Sequence, residues 1–127
     1  VKRVSCCAAT DIEPRRADIN KADALEKQPS HRTSVDFIIT NPPWSRDILH
    51  PMVERFSDML PTWLLFDADW IHTKQSISFL WRLHKIVSVG RVKWIPDSKM
   101  TGKDNCAWYL FSIQERPGAV KFYGRTD

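Results

Sequence analysis

The chain has 127 residues and a formal net charge of +4, enough length for one ordinary domain and too little for two. With 43% hydrophobic and 27% charged residues it is not composed like a disordered chain, and no run nears the roughly 18 apolar residues of a membrane span. The basic balance permits nucleic-acid contact without establishing it, since no block of like charges concentrates it. The segment at 4–12, rich in small and apolar residues and closed by Asp11-Ile12-Glu13-Pro14, reads as a buried strand bounded by a turn. A second short strand is expected over 19–22, leading to Asp23-Ala24-Leu25, and the polar stretch 26–34 with Pro29 reads as a surface loop. Val35-Asp36-Phe37-Ile38-Ile39 is nearly continuous in β-branched and aromatic residues and stops at Asn-Pro-Pro, the pattern of a central parallel strand opening into a loop.

Downstream, Met52, Val53, Phe56, Met59 and Leu60 recur at helical spacing, with Pro51 expected in the first turn and Pro61 ending the helix. Thr62-Trp63-Leu64-Leu65-Phe66 reads as a buried strand closed by Asp67-Ala68-Asp69. A second helix is expected over 71–84, with Ile77, Leu80, Trp81 and His84 along its apolar side. A strand over 86–95, bent at Gly90, a polar loop over 96–105 and a last strand over 106–114 complete the chain. This order predicts an α/β fold with a mixed, mostly parallel sheet flanked by helices, in one domain over 1–127. Of the six tryptophans, Trp63, Trp81 and Trp108 fall in core patterns, whereas Trp44, Trp70 and Trp94 lie nearer loop ends.

Metal and disulfide chemistry find little support. Cys6, Cys7 and Cys106 are odd in number, and His31, His50, His72 and His84 are scattered without ligand spacing. The first residues, Val1-Lys2-Arg3-Val4, introduce no apolar signal segment, so a cytoplasmic location and no membrane partner are expected.

The chemistry concentrates at Thr40-Asn41-Pro42-Pro43-Trp44. Open α/β sheets bind ligands beyond the carboxyl ends of their strands, which is where this segment falls. Two consecutive prolines fix φ and remove two amide donors, and they bias Asn41 toward extended backbone. The Asn41 amide oxygen and the Pro42 carbonyl are two acceptors on a stiff loop, suited to the two hydrogens of an exocyclic amino group. Trp44 offers a flat face on which a ring can stack.

Asn-Pro-Pro-aromatic after a hydrophobic strand resembles motif IV of the class I S-adenosylmethionine-dependent amino-methyltransferases. The resemblance implies a partial Rossmann-like fold and transfer of a methyl group to N6 of adenine in double-stranded DNA. It assigns Asn41 and Pro42 to the target nitrogen, Trp44 to stacking on the base and Pro43 to stiffening the loop. Thr10-Asp11-Ile12-Glu13-Pro14 is similar to the family's second motif, which implies that Asp11, with Glu13 as second choice, binds the cofactor ribose. Asp23 matches the position that accepts from the cofactor's adenine amino group. The segments 91–95, 99–105 and 107–111 resemble phage and prophage adenine methyltransferases, where the middle loop lies beside the substrate cleft, so Lys99 and Lys103 are candidates for phosphate contact.

The resemblance covers residues 4–114, from the family's second strand onward. The four glycines, Gly90, Gly102, Gly118 and Gly124, are all downstream of any place for a glycine-rich cofactor turn. The first strand of the family, which lies between the second and fourth, is therefore expected to be missing, so either the strand at 4–12 pairs directly beside the one at 35–40 or a further segment or partner chain completes the sheet. Two rival readings follow: a non-catalytic nucleic-acid-binding module of methyltransferase descent, and a methyltransferase for protein glutamine or RNA. The glutamine group usually has Tyr where this chain has Trp44.

Overall fold

The computed structural model describes residues 5–6, 9–11, 14–23, 25, 35–94, 97, 99 and 102–126. They fall into two compact units, Val1–Val35 and Asp36–Asp127. In the first, β1 (Thr10–Asp11) pairs in parallel with β2 (Asn20–Lys21), Thr10 opposite Asn20 and Asp11 opposite Lys21. The strands expected over 4–12 and 19–22 are thus represented by two residues each among the described ones. Arg16 and Asp18 form an exposed ion pair at 2.7 Å in the connection, of the kind that contributes little to stability.

The second unit holds a five-stranded mixed sheet. Its strands are β3 (Ile38–Thr40), β4 (Thr62–Asp67), β5 (Leu83–Arg91), β6 (Asn105–Phe111) and β7 (Lys121–Tyr123), in the spatial order β3-β4-β6-β5-β7. β3 runs parallel to β4 and β5 to β7, while β6 is antiparallel to both its neighbours. Four strands therefore share one direction and β6 alone is reversed, an α/β architecture of the mixed, mostly parallel kind expected. β7 has no counterpart among the strands expected from the sequence pattern. The bend in β5 falls where Gly90 adopts φ +88°, beside a register shift between Ser88 and Gly90; that region of backbone space is open to glycine and strained for other residues.

Helix α1 (Arg46–Met59) begins one and a half turns before the apolar periodicity suggests, so Pro51 lies inside it and not in its first turn. The Ser45 carbonyl accepts from Leu49 N–H at 2.8 Å and starts the ladder early. Pro51 has no N–H to give the Asp47 carbonyl four residues back, and its exposed position lets water take that role.

The second expected helix is replaced by two 3₁₀ segments, Ala68–His72 and Lys74–Arg82, joined at Thr73. A 3₁₀ helix repeats every 3.0 residues, not every 3.6. The buried row is accordingly Ser76, Phe79 and Arg82, while Ile77, Leu80 and Trp81, expected on the core side, are 66%, 39% and 49% exposed. Arg82 is anchored in the interior: its Nη1 donates to Ser57 Oγ at 2.9 Å and meets Asp58 at 3.0 Å on α1. Its guanidinium also lies 4.5 Å from the Trp81 ring centre, a cation–π contact at the surface.

The main hydrophobic cluster lies on one face of the sheet, and Leu65, Cys106 and Leu110 are buried on the other. Leu49 and Val53 of α1 meet Leu64 and Phe66 of β4, Ala107, Tyr109 and Phe111 of β6, and Trp70, Phe79 and Leu83. The register explains the selection. Leu64 stands opposite Tyr109 and Phe66 opposite Ala107, so alternate residues of neighbouring strands share that face. Phe66 and Tyr109 stack at 4.3 Å, and Trp70 meets both edge-on. Trp70, placed near a loop end by the sequence pattern, is fully buried.

Trp70 Nε1–H donates to His50 Nε2 at 3.0 Å. Burial lowers the His50 pKa first, the Arg46 charge lowers it further, and Glu54 partly opposes them. Only neutral imidazole can accept at Nε2. A His with a depressed folded pKa binds fewer protons folded than unfolded, so its contribution is complete above the unfolded value near 6.5 and is lost as pH falls from there through the lower folded value. The urea midpoint of the protein should therefore fall between about pH 7.5 and about pH 5.5, and His50→Gln should make that fall shallower. Equal pH slopes for the two proteins would remove His50 from this role.

Candidate functional site

β3 and β4 are parallel, Thr40 opposite Leu64, so their carboxyl ends lie at one edge of the sheet. β5 ends at the same edge, and β6 starts there with Cys106 opposite Asp67 and Asn105 opposite Arg91. The 41–44 segment, the turn at Asp67 and the connection from β5 to β6 therefore converge on one rim. That convergence follows from the topology: β3, β4 and β5 all point at the edge and the reversed β6 leaves from it.

Asn41 and Pro43 are exposed, Pro42 is buried and Trp44 is half-buried. Among the described residues the Asn41 side chain makes no hydrogen bond, so its amide is open to a ligand. Trp44 packs partly against the core cluster, and its ring meets that of Trp94 edge-on, with centroids 6.5 Å apart and planes at 77°. Asn41, Pro42, Trp44, Trp94, Gly102, Lys103 and Asp104 line a cavity of about 320 Å³, at the small end of the range for ligand pockets.

Gly102 has a specific part in this wall. Its N–H donates to the Val92 carbonyl at 3.0 Å, closing the connection on itself. A Cβ there would stand 2.9 Å from that carbonyl oxygen and 3.1 Å from Trp94 Nε1, so only glycine lets Trp94 lie so close to the returning chain. Lys103 and Asp104 follow at once and bring one cation and one anion to the mouth of the cavity.

The structure thus gathers Asn41, Pro42, Trp44 and Lys103 around one space. Pro43 is the exposed neighbour of that wall, and Lys99, also exposed, is not part of the lining. Asp11 closes β1 and Asp23 follows β2, both in the Val1–Val35 unit. Asp23 Oδ1 accepts from Leu25 N–H at 2.9 Å, and a carboxylate retains acceptor capacity beyond one such bond. Glu13 lies outside the described residues.

Trp94 and Arg46 join the rim without a functional assignment from the sequence, as do Gly102 and Asp104. Trp94 carries the only available signal, an aromatic at the end of a strand that opens into a polar loop. Arg46 carries none, because its place beside Asp67 depends on the early start of α1. Among the described residues no group of three or more His, Cys, Asp or Glu side chains is arranged to hold a metal ion, and no helix is long and apolar enough to cross a membrane.

Cys106 and Tyr109 sit beneath the rim. Burial raises the Cys106 thiol pKa, and the Asp104 and Asp67 charges raise it further. The Tyr109 phenol is pushed up mainly by burial and then by Asp67, and its hydroxyl donates to the Asp67 carbonyl at 2.8 Å. Both groups therefore stay protonated near neutral pH. No protein-family model matches this chain, and no curated protein matches it either.

Proposed function

We propose that this chain is the substrate-binding and catalytic part of an S-adenosylmethionine-dependent amino-methyltransferase, acting on N6 of adenine in double-stranded DNA and built on a partial Rossmann-like fold. The observation that carries the reading is Asn41. It stands at the carboxyl end of β3, its amide makes no hydrogen bond among the described residues, and it shares one cavity with Pro42 and Trp44. A carboxamide oxygen and a proline carbonyl can each take one hydrogen of an amino group, which fixes the nitrogen and turns its lone pair away from the loop.

Trp44 and Trp94 offer apolar walls for a flat ring, and Lys103 offers a cation for the phosphate beside it. A base with its phosphate matches that set better than the amide of a glutamine side chain, which has no ring and no charge. Such a base must leave the duplex stack to enter. S-adenosylmethionine, when bound, would supply the electrophilic methyl group. Asp11 would hold its ribose, with Glu13 as the alternative, and Asp23 its adenine amino group. Lys99 is a further candidate for the DNA backbone, and a cytoplasmic location belongs to the same reading.

The test is methyl transfer from labelled S-adenosylmethionine to duplex DNA, run beside a glutamine-containing protein and RNA. Transfer to adenine in DNA is expected. Transfer to protein or RNA alone would replace the substrate, and DNA binding without calorimetric heat at millimolar cofactor would replace the enzyme by a binding module.

A further inference from the structure

Arg46 is the first residue of α1, where the helix dipole and the free N–H groups favour an acid and disfavour a cation. A local rule broken at the edge of a candidate site calls for a compensating role. The guanidinium has one. Its Nη1 donates to the Trp44 carbonyl at 3.3 Å, and its Nη2 lies 3.5 Å from Asp67 Oδ2. The two amino groups are fixed in one plane, so a single rigid fork joins the loop to the end of β4.

Asp67 is itself held from two sides. Its Oδ1 accepts from Asp69 N–H at 2.9 Å, and its main-chain carbonyl accepts the Tyr109 hydroxyl. The chain of contacts therefore runs from the buried core through Tyr109, Asp67 and Arg46 to Trp44. Apart from the packing of Pro42 and Trp44, the loop has few other polar ties. Pro42 and Pro43 have no N–H, and among the described residues no backbone hydrogen bond outside β3 and α1 holds positions 41–44. Arg46 and Asp67 are also only partly exposed, at 30% and 24% of their side chains, which shields their pairing from solvent.

We propose that Arg46 is a positioning residue whose guanidinium ties the Trp44 carbonyl to Asp67 and so fixes the Asn41 loop against the end of β4. The assignment rests on the reading of that loop as the amine-holding site. Lysine keeps the charge but cannot span both partners with a planar fork, so Arg46→Lys and Arg46→Met should behave alike.

Two readouts test this on the full chain. The first is the ¹⁹F resonance of Trp44 in protein labelled with 5-fluorotryptophan, assigned by Trp44→Phe. It should shift and broaden in both Arg46 variants, while the Trp70 resonance stays put. The second is steady-state methyl transfer to DNA, where kcat should fall by about tenfold or more with KM little changed. Full rescue of both readouts by Arg46→Lys would overturn the proposal, because charge alone would then suffice. A raised KM at constant kcat that vanishes at high salt would also overturn it, marking a direct phosphate contact. If the unaltered protein transfers no methyl group, the functional reading fails separately, and the ¹⁹F comparison decides Arg46: an unmoved Trp44 resonance sinks the proposal.

Discussion

Replacing Trp70 by alanine should destabilise the protein by about 3–5 kcal/mol, the cost typical of removing a large buried aromatic. The residue is fully buried and meets Phe66, Tyr109 and Phe111 edge-on at 5.2, 5.4 and 5.9 Å. These contacts join the first 3₁₀ segment to both central strands, so the void left behind cannot close by moving one side chain. The lost indole N–H also leaves His50 without its donor. Against a total stability of roughly 5–15 kcal/mol for a domain, this is a large share. Trp81→Ala provides the contrast. That ring is half exposed and contributes mainly a surface contact with Arg82, so its loss should cost about 1 kcal/mol or less. Urea unfolding followed by circular dichroism, which does not depend on the deleted fluorophore, compares the two. A Trp70→Ala midpoint as mild as that of Trp81→Ala would mean that the core is not organised around Trp70.

That contrast also shows where the sequence is readable. Apolar spacing at 77, 80, 81 and 84 fits a 3.6-residue repeat, and nothing local reveals that the backbone winds at 3.0. The tighter winding turns Ser76, Phe79 and Arg82 inward and sets Trp81 outside, and it is decided by tertiary contacts such as Arg82 with Ser57 and Asp58 on α1. β4 and β6 were legible because their apolar runs are long and their registers bury alternate residues. β7 was not, since Lys121-Phe122-Tyr123 becomes a strand only through pairing with β5, far back in the chain. At the candidate site the Asn-Pro-Pro-Trp segment announces itself because its proline chemistry is local. Lys103 is named by the resemblance of its loop, whereas Trp94 comes to the site only when the connection folds back at Gly102, an event that spacing cannot encode.

Asn41→Ala should lower methyl transfer by roughly 10²–10³-fold, the effect typical of deleting one preorganised polar group at a reacting centre. The side chain is exposed and makes no hydrogen bond among the described residues, so its removal leaves no buried partner stranded. Stability should therefore change by no more than about 0.5 kcal/mol, as for surface substitutions generally. This separation gives the variant its power: a large catalytic loss with an unchanged urea midpoint points to the amide itself and not to the fold. Asn41→Asp sharpens it further. The acid keeps an acceptor of the same reach but adds a charge near the Lys103 and Asp104 mouth of the cavity. If acceptance of an amino hydrogen is the role, the acid retains part of the activity that alanine loses. If the donor N–H₂ matters instead, the two variants fall together. A wild-type rate in Asn41→Ala would remove Asn41 from the reaction and leave the cavity, with its paired tryptophans and its lysine, as a site for binding a base without modifying it.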